Sequence, residues 1–284
     1  MKKTLKVEVD VSKAAKSKFR SVIVVSCVLF TTLTIHAEEN WLRQSYRRVV
    51  VGADAQYADK MLASLPMIAE SGADTVTITA SLRGDSWFQS KMATIAPTLS
   101  VDDAVKQGVE QAHKLGMRAI VYLGGPLKQN ALKDKKEMLC RDSSAIWSGH
   151  REEVCLLSPG GDWIIKYMVE LAQHAPIDGI WMDGYPQGPL HCRCTHCADA
   201  YKRDTGAKLP TSGDPKDANL RRFVLWWHKQ CEAHARRMRD AIHQVRPGCM
   251  LFANVSVGRS SESWRHSPDG LCAVLDSPSV EQFW

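Results

Sequence analysis

From Arg47 onward, short apolar runs alternate with longer amphipathic segments. That alternation is the signature of α/β architecture with parallel strands. Period-2 and continuous apolar runs predict strands at 48–53, 74–80, 117–123, 177–182, 249–255 and 271–275. Helical periodicity predicts helices at 57–71, 101–115, 162–173 and 217–245. Gly72, Gly116 and Pro247-Gly248 stand where these helices should stop. The stretch 81–98, rich in Ser, Gly and Trp, reads as a loop, and the long polar segment 127–151, with little apolar periodicity, reads as a functional or locally mobile loop. Six β/α units result, whereas a closed (β/α)8 TIM-type barrel needs eight strands and about 250 residues. The chain ends at Glu281-Gln282-Phe283-Trp284 without a polar tail, so the expectation is a barrel incomplete at its carboxyl end.

The first 37 residues differ in kind. Seven Lys/Arg precede an apolar run from Val22 to Ile35 that ends at Ala37. This is the layout of a secretory signal peptide, with a cut expected before Glu38. The alternatives are an uncleaved anchor and a lipoprotein modified at Cys27 after Val24-Val25-Ser26. Residues 1–37 are thus read as a leader and 38–284 as the domain, exported to the periplasm or beyond, with no membrane contact after cleavage. Without the leader the chain keeps 30 Lys/Arg and 29 Asp/Glu, so the sequence pI near 8.8 belongs to the leader. No basic stripe with interleaved aromatics follows, which argues against a nucleic-acid partner. A homo-oligomer is compatible with this composition.

The strongest local signal is His191-Cys192-Arg193-Cys194-Thr195-His196-Cys197, which places three soft ligands within six residues. Such spacing lets thiolates converge on one tetrahedral structural zinc ion if a fourth donor arrives from elsewhere. The nearest upstream donors are Cys140 and Cys155. Cys155 is favoured because it directly precedes the Leu156-Leu157-Ser158-Pro159 turn, with His191 and His196 in reserve. Disulfides are the alternative, since eight cysteines remain once Cys27 is set aside. Cys231, Cys249 and Cys272 sit in apolar contexts and read as core.

Among carboxylates, Asp183 ends an apolar strand and precedes Gly184, the position at which (β/α)-barrels carry their chemistry. Glu281 is the corresponding candidate after the sixth strand. Two such groups flanking a scissile bond suit glycosidic cleavage. Asp54, Trp87, Tyr122, Trp181 and Tyr185 fall at predicted strand ends or in the following loops, where they could line a sugar subsite. Asp178, at the opposite end of its strand, and His113, within a helix, read as structural. Trp226-Trp227 read as the buried face of a long helix.

The run IDGIWMDG…CRCTHCADAYKRDTGAKLP, preceded by AHKLGMRAIVYL and CLLSPGGDW, resembles hypothetical glycosyl hydrolase family 6 across roughly residues 41–284. The cysteine pattern is similar to that of family 42 β-galactosidases, in which an upstream Cys before an SP turn joins a CxCxxC array to hold zinc. Cys155, Cys192, Cys194 and Cys197 match it. In α-L-fucosidase-like barrels a W-x-D-G segment carries the nucleophile, which by resemblance falls on Asp183; the family 42 analogy would make that position the acid/base. The resemblance implies a retaining glycosidase acting on a galactoside- or fucoside-like carbohydrate. A non-catalytic carbohydrate-binding barrel and an inactive fragment are the other readings. Related chains often carry Asp-x-His after the first strand, where this one has Ala53-Asp54-Ala55.

Overall fold

A computed structural model describes residues 47–51, 54–140, 153–186, 192–254 and 268–279. Six parallel strands stand in the order in which they occur along the chain: β1 (Arg48–Val50), β2 (Thr75–Leu82), β4 (Arg118–Gly124), β5 (Gly179–Asp183), β6 (Met250–Asn254) and β7 (Ser277–Ser279). A two-residue strand, β3 (Asp85–Ser86), folds back antiparallel on the end of β2. Helices cross between successive parallel strands: α1 (Ala58–Glu70), α2 (Ala104–Lys114), α3 (Pro159–His174), α4 (Thr195–Thr205) with α5 (Ala218–Val245), and the short α6 (Pro268–Cys272). This is the architecture of a (β/α)8 barrel with six of its strands described. Among the described residues no helix is long and apolar enough to cross a membrane.

Strand alternation divides the sheet into two faces. Val76, Ile78 and Ala80 of β2, Ala119, Val121 and Leu123 of β4, Ile180 and Met182 of β5, and Leu251 and Ala253 of β6 join the helices in one large core. The other face carries a separate cluster of Ile120, Trp181 and Phe252, flanked by Tyr122 and Met250. Thr75, Thr77 and Thr79 share that second face and are buried. The register slips between Thr79 and Ser81, a β-bulge that brings Leu82 opposite Gly124.

An aspartate device repeats at the amino-terminal ends of the strands. Asp178, just before β5, accepts from the Ala119 N–H on β4 at 2.8 Å and from His113 Nε2 on α2 at 2.8 Å. Asp276, just before β7, accepts from the Leu251 N–H on β6 at 2.8 Å and from His243 Nε2 on α5 at 3.1 Å. Asp74 does the same for the Arg47 N–H, at 3.0 Å, without a histidine. Each carboxylate satisfies a strand-start N–H and, in two cases, ties a helix to the sheet. His113 and Asp178 are therefore structural.

Several expectations need correction. The run 271–275 is not a strand: α6 and a turn occupy it, with Leu271, Val274 and Leu275 buried, and the strand follows at Ser277–Ser279. A short buried apolar run has the same pattern in either conformation. The cysteine-rich loop contains α4, whose buried Cys197, Ala200 and Tyr201 follow helical spacing. Helix α3 starts three residues earlier than expected, because the Ser158 hydroxyl caps Gly160 N–H at 3.0 Å and Pro159 opens the first turn. Cys272 is exposed, whereas Cys231 and Cys249 are core. Trp226 and Trp227 are buried in the main cluster, as the helical spacing requires.

Candidate active site and thiol cluster

Asp183 is the last residue of β5, on the same face as Trp181 and Tyr122. Gly184 follows with φ of 78°, a left-handed conformation that turns the chain out of the sheet without a Cβ penalty. Both carboxylate oxygens are engaged. The Tyr122 hydroxyl, from β4, donates to Oδ2 at 2.5 Å, and Asn254 Nδ2, from the end of β6, donates to Oδ1 at 2.8 Å. Asn254 is oriented in turn by the Trp181 indole N–H, which donates to its Oδ1 at 2.7 Å. The Tyr122 ring meets Trp181 edge-on at 5.0 Å, and the Arg48 guanidinium lies 4.5 Å from the centre of a Trp181 ring. Three adjacent strands thus hold one carboxylate in a single orientation and leave part of its acceptor capacity for a ligand.

The other sequence-derived candidates divide. Tyr122 and Trp181 stand beside Asp183. Trp87 and Tyr185 do not line a site: both are at most 2% exposed and lie in the main core. Trp87 packs there after its N–H has bonded Ala80 O at 2.9 Å. The Tyr185 hydroxyl donates to His234 Nδ1 at 2.9 Å, and His234 Nε2 donates to Gly161 O at 3.0 Å. This chain joins the loop after β5 to α5 and α3. Burial holds His234 neutral, with a pKa lowered to about 4. Asp54 is exposed and faces Arg83 at 3.7 Å. Glu281 and His191 lie outside the described residues. Asn254 was not singled out from sequence, yet it is the same-face residue at the end of the strand next to Asp183.

Cys155, Cys192, Cys194 and Cys197 are all buried, with their sulfurs within 4.8 Å of one another. Cys155 lies 3.6 Å from Cys194 and 3.5 Å from Cys197. Four thiolates around a tetrahedral zinc ion stand about 3.8 Å apart, so the spacing fits. None of the eight described cysteines is in a disulfide. Interaction with Cys140 holds Cys155 and Cys192 below the usual thiol range, while the neighbouring Cys155 sulfur pushes Cys194 and Cys197 up. A dication among the four sulfurs would supply the counter-charge that lets all of them ionise. His196 is not in the group.

No family model matches the chain, and no curated protein sequence matches it. Solved structures do. α-L-Fucosidase isoenzyme 2 from Paenibacillus thiaminolyticus aligns with a TM-score of 0.57 at 21% identity, over 79% of this chain and 35% of that one. The glycoside hydrolase domain of PgaB (BpsB) from Bordetella bronchiseptica gives 0.63 at 11% identity, over 83% and 73%. A catalytic mutant of Gan42B, a GH42 β-galactosidase from G. stearothermophilus, gives 0.60 at 15% identity, over 83% and 39%. The chain therefore spans well under half the length of the fucosidase and of the β-galactosidase. What it shares with all three is the fold, the parallel strand-and-helix frame of glycoside hydrolase barrels.

Proposed function

We propose that this chain is a glycoside hydrolase domain, of the type of hypothetical glycosyl hydrolase family 6, acting on a galactoside- or fucoside-like substrate with Asp183 as nucleophile. The observation that carries the reading is the fixed carboxylate: Asp183 ends β5, and both of its oxygens accept hydrogen bonds from neighbouring strands. In a retaining mechanism one Asp183 oxygen attacks the anomeric carbon as the bond to the leaving oxygen breaks, and a second carboxyl protonates that oxygen. Water then attacks the glycosyl ester, its proton passing to the second group, and frees Asp183. Glu281 is the proposed acid/base. Tyr122 and Trp181 form the proposed sugar-facing wall, their rings offering a flat surface to apolar C–H faces.

The same reading includes export by the leader at 1–37 and a structural zinc ion held by Cys155, Cys192, Cys194 and Cys197. When bound, the ion adds a covalent-strength tie between the segment before α3 and the loop after β5, with no open position for chemistry.

The test is hydrolysis of a panel of aryl α- and β-galactosides and fucosides by the purified chain, beside Asp183→Asn. Turnover that falls by about 10³-fold or more in the variant supports the nucleophile. Saturable glycan binding with no turnover, unaltered by Asp183→Asn, would replace this reading with a carbohydrate-binding barrel.

A further inference from the structure

The hairpin from β2 into β3 turns through Arg83 and Gly84, the two residues between the paired Leu82 and Asp85. Both have positive φ, 55° and 89°, as a type I′ hairpin turn requires. Asn, Asp and Gly adopt that conformation at least cost, and Arg83 is the only non-glycine among the described residues that holds it. Asn130, in the loop after β4, fixes the turn. Its N–H donates to Gly84 O at 3.1 Å, and its Nδ2 donates to Arg83 O at 3.3 Å and to Asp85 Oδ1 at 2.7 Å. The Arg83 side chain stays outside this network. It is 82% exposed and lies 3.7 Å from the half-exposed Asp54 carboxylate, too far for a hydrogen bond. Asp54 stands just before the helical turn Ala55–Tyr57, at a capping position that aspartate favours, yet its side chain caps no backbone N–H. An arginine in a costly backbone conformation and a carboxylate free of its usual capping bond thus face each other across a gap.

The pair stands at the carboxyl-terminal ends of its strands, as Asp183 does. The bulge in β2 puts Leu82 in one row with Gly124 and Asp183. Two strand spacings, about 10 Å, separate Leu82 from Asp183, and Arg83 is the next residue outward. We infer that Arg83 and Asp54 bind a second sugar ring beside the one whose bond is cleaved, so that the substrate is an oligosaccharide. This rests on the reading of Asp183 as the point of cleavage. Adjacent hydroxyls of a sugar suit the gap: one donates to the Asp54 carboxylate while its neighbour accepts from an Arg83 N–H. Neither side chain can do this alone, because a carboxylate has no donor and a guanidinium no acceptor. The inference also accounts for the residue at the turn. Backbone strain concentrates at ligand-binding positions, and here the cheaper Asn-Gly turn would lack a guanidinium.

The experiment measures kcat and KM of the full chain on the aryl monoglycoside it turns over best and on disaccharides that extend the same sugar on either side. Arg83→Asn creates the favoured Asn-Gly turn and removes the guanidinium; Asp54→Ala removes the carboxylate. The expected result is a melting temperature of Arg83→Asn at or above that of the parent, so that loss of fold is not the cause of any kinetic change. In both variants KM should rise about 10-fold more for the preferred disaccharide than for the monoglycoside. Equal effects on mono- and disaccharide, or none on either, would overturn the inference. A lowered melting temperature with unchanged KM would make the pair a tie between the loops after β1 and β2, and would overturn it as well. A parent protein that turns over no glycoside would instead sink the cleavage reading beneath it.

Discussion

The Tyr122 hydroxyl and the Asp183 carboxylate meet at 2.5 Å across the β4–β5 pair, one residue from each of two strands whose neighbouring side chains, Tyr122 and Trp181, stand directly opposite. If Asp183 is the nucleophile, Tyr122→Phe removes one of its two positioning bonds and keeps the ring contact with Trp181. A hydrogen bond to a charged group contributes about 1.5–3 kcal/mol, so kcat should fall about 10- to 100-fold with little change in KM. Steady-state kinetics on the best aryl glycoside decide it; a change confined to KM would mean that the Tyr122 hydroxyl serves substrate binding and not the positioning of Asp183.

Asn254 offers a sharper contrast. Asn254→Asp keeps an acceptor for the Trp181 N–H but places a second carboxylate against Asp183, where the parent has an N–H donor. The two carboxylates repel, and the expected outcome is loss of turnover together with a raised apparent pKa on the acid limb of the kcat/KM profile. Asn254→Ala should lower kcat with a smaller shift, because it removes one hydrogen bond from the carboxylate without adding a charge. Identical pH profiles for the two variants would remove Asn254 from the positioning network.

Two histidines should shape stability against pH in opposite directions. The hydrogen bond to Asp276 raises His243 above the ordinary imidazole value, so its stabilisation is full below the unfolded pKa and is lost as pH rises through the folded one. Burial lowers His234 to about 4, so its contribution is present above the unfolded pKa near 6.5 and is lost as pH falls toward 4. The acid loss amounts to about 3 kcal/mol. Melting temperatures measured from pH 4 to 9 should show His243→Gln flattening the alkaline limb and His234→Gln the acid one. Parallel curves for parent and variants would refute both assignments.

Gly161 closes the first turn of α3, where an added Cβ would collide with the Leu156 carbonyl, a backbone group that cannot swing aside. Leu156 is the residue after Cys155. Gly161→Ala is expected to cost about 1–3 kcal/mol in urea unfolding. It should also weaken zinc retention, because the collision pushes the ligand-bearing segment. Unchanged stability with normal zinc content would show that this turn relaxes freely.

Much of this was legible from residue patterns. The positions of the first five parallel strands followed from apolar runs, Asp183 from an apolar strand closed by Gly184, and the four-cysteine group from a CxCxxC array plus a Cys before a turn. Trp87 and Tyr185 misled because a strand-end aromatic has the same local signature whether it faces a cleft or packs under a helix; the contacts that decide, such as Tyr185 to His234, are 49 residues apart. Asn254 was hidden for the opposite reason. Its role depends on two strands, and only the face shared by Trp181, Asp183 and its own strand end would have pointed to it. Strand β7 was displaced because Leu271, Val274 and Leu275 are as buried in a helical turn as they would be in a sheet.

The matching of spatial to sequential strand order bears on how the molecule assembles. Each parallel strand docks on the one made just before it, so no strand has to wait for a distant segment to reach the sheet. The longest connection between successive parallel strands is the passage from β5 to β6, which carries α4 and α5. The thiol cluster falls at that connection: Cys155 emerges before β5, and Cys192, Cys194 and Cys197 emerge just after it. An ion captured there would close a loop of a few dozen residues while α5 is still to come, so that the longest connection of the chain would start from a fixed point.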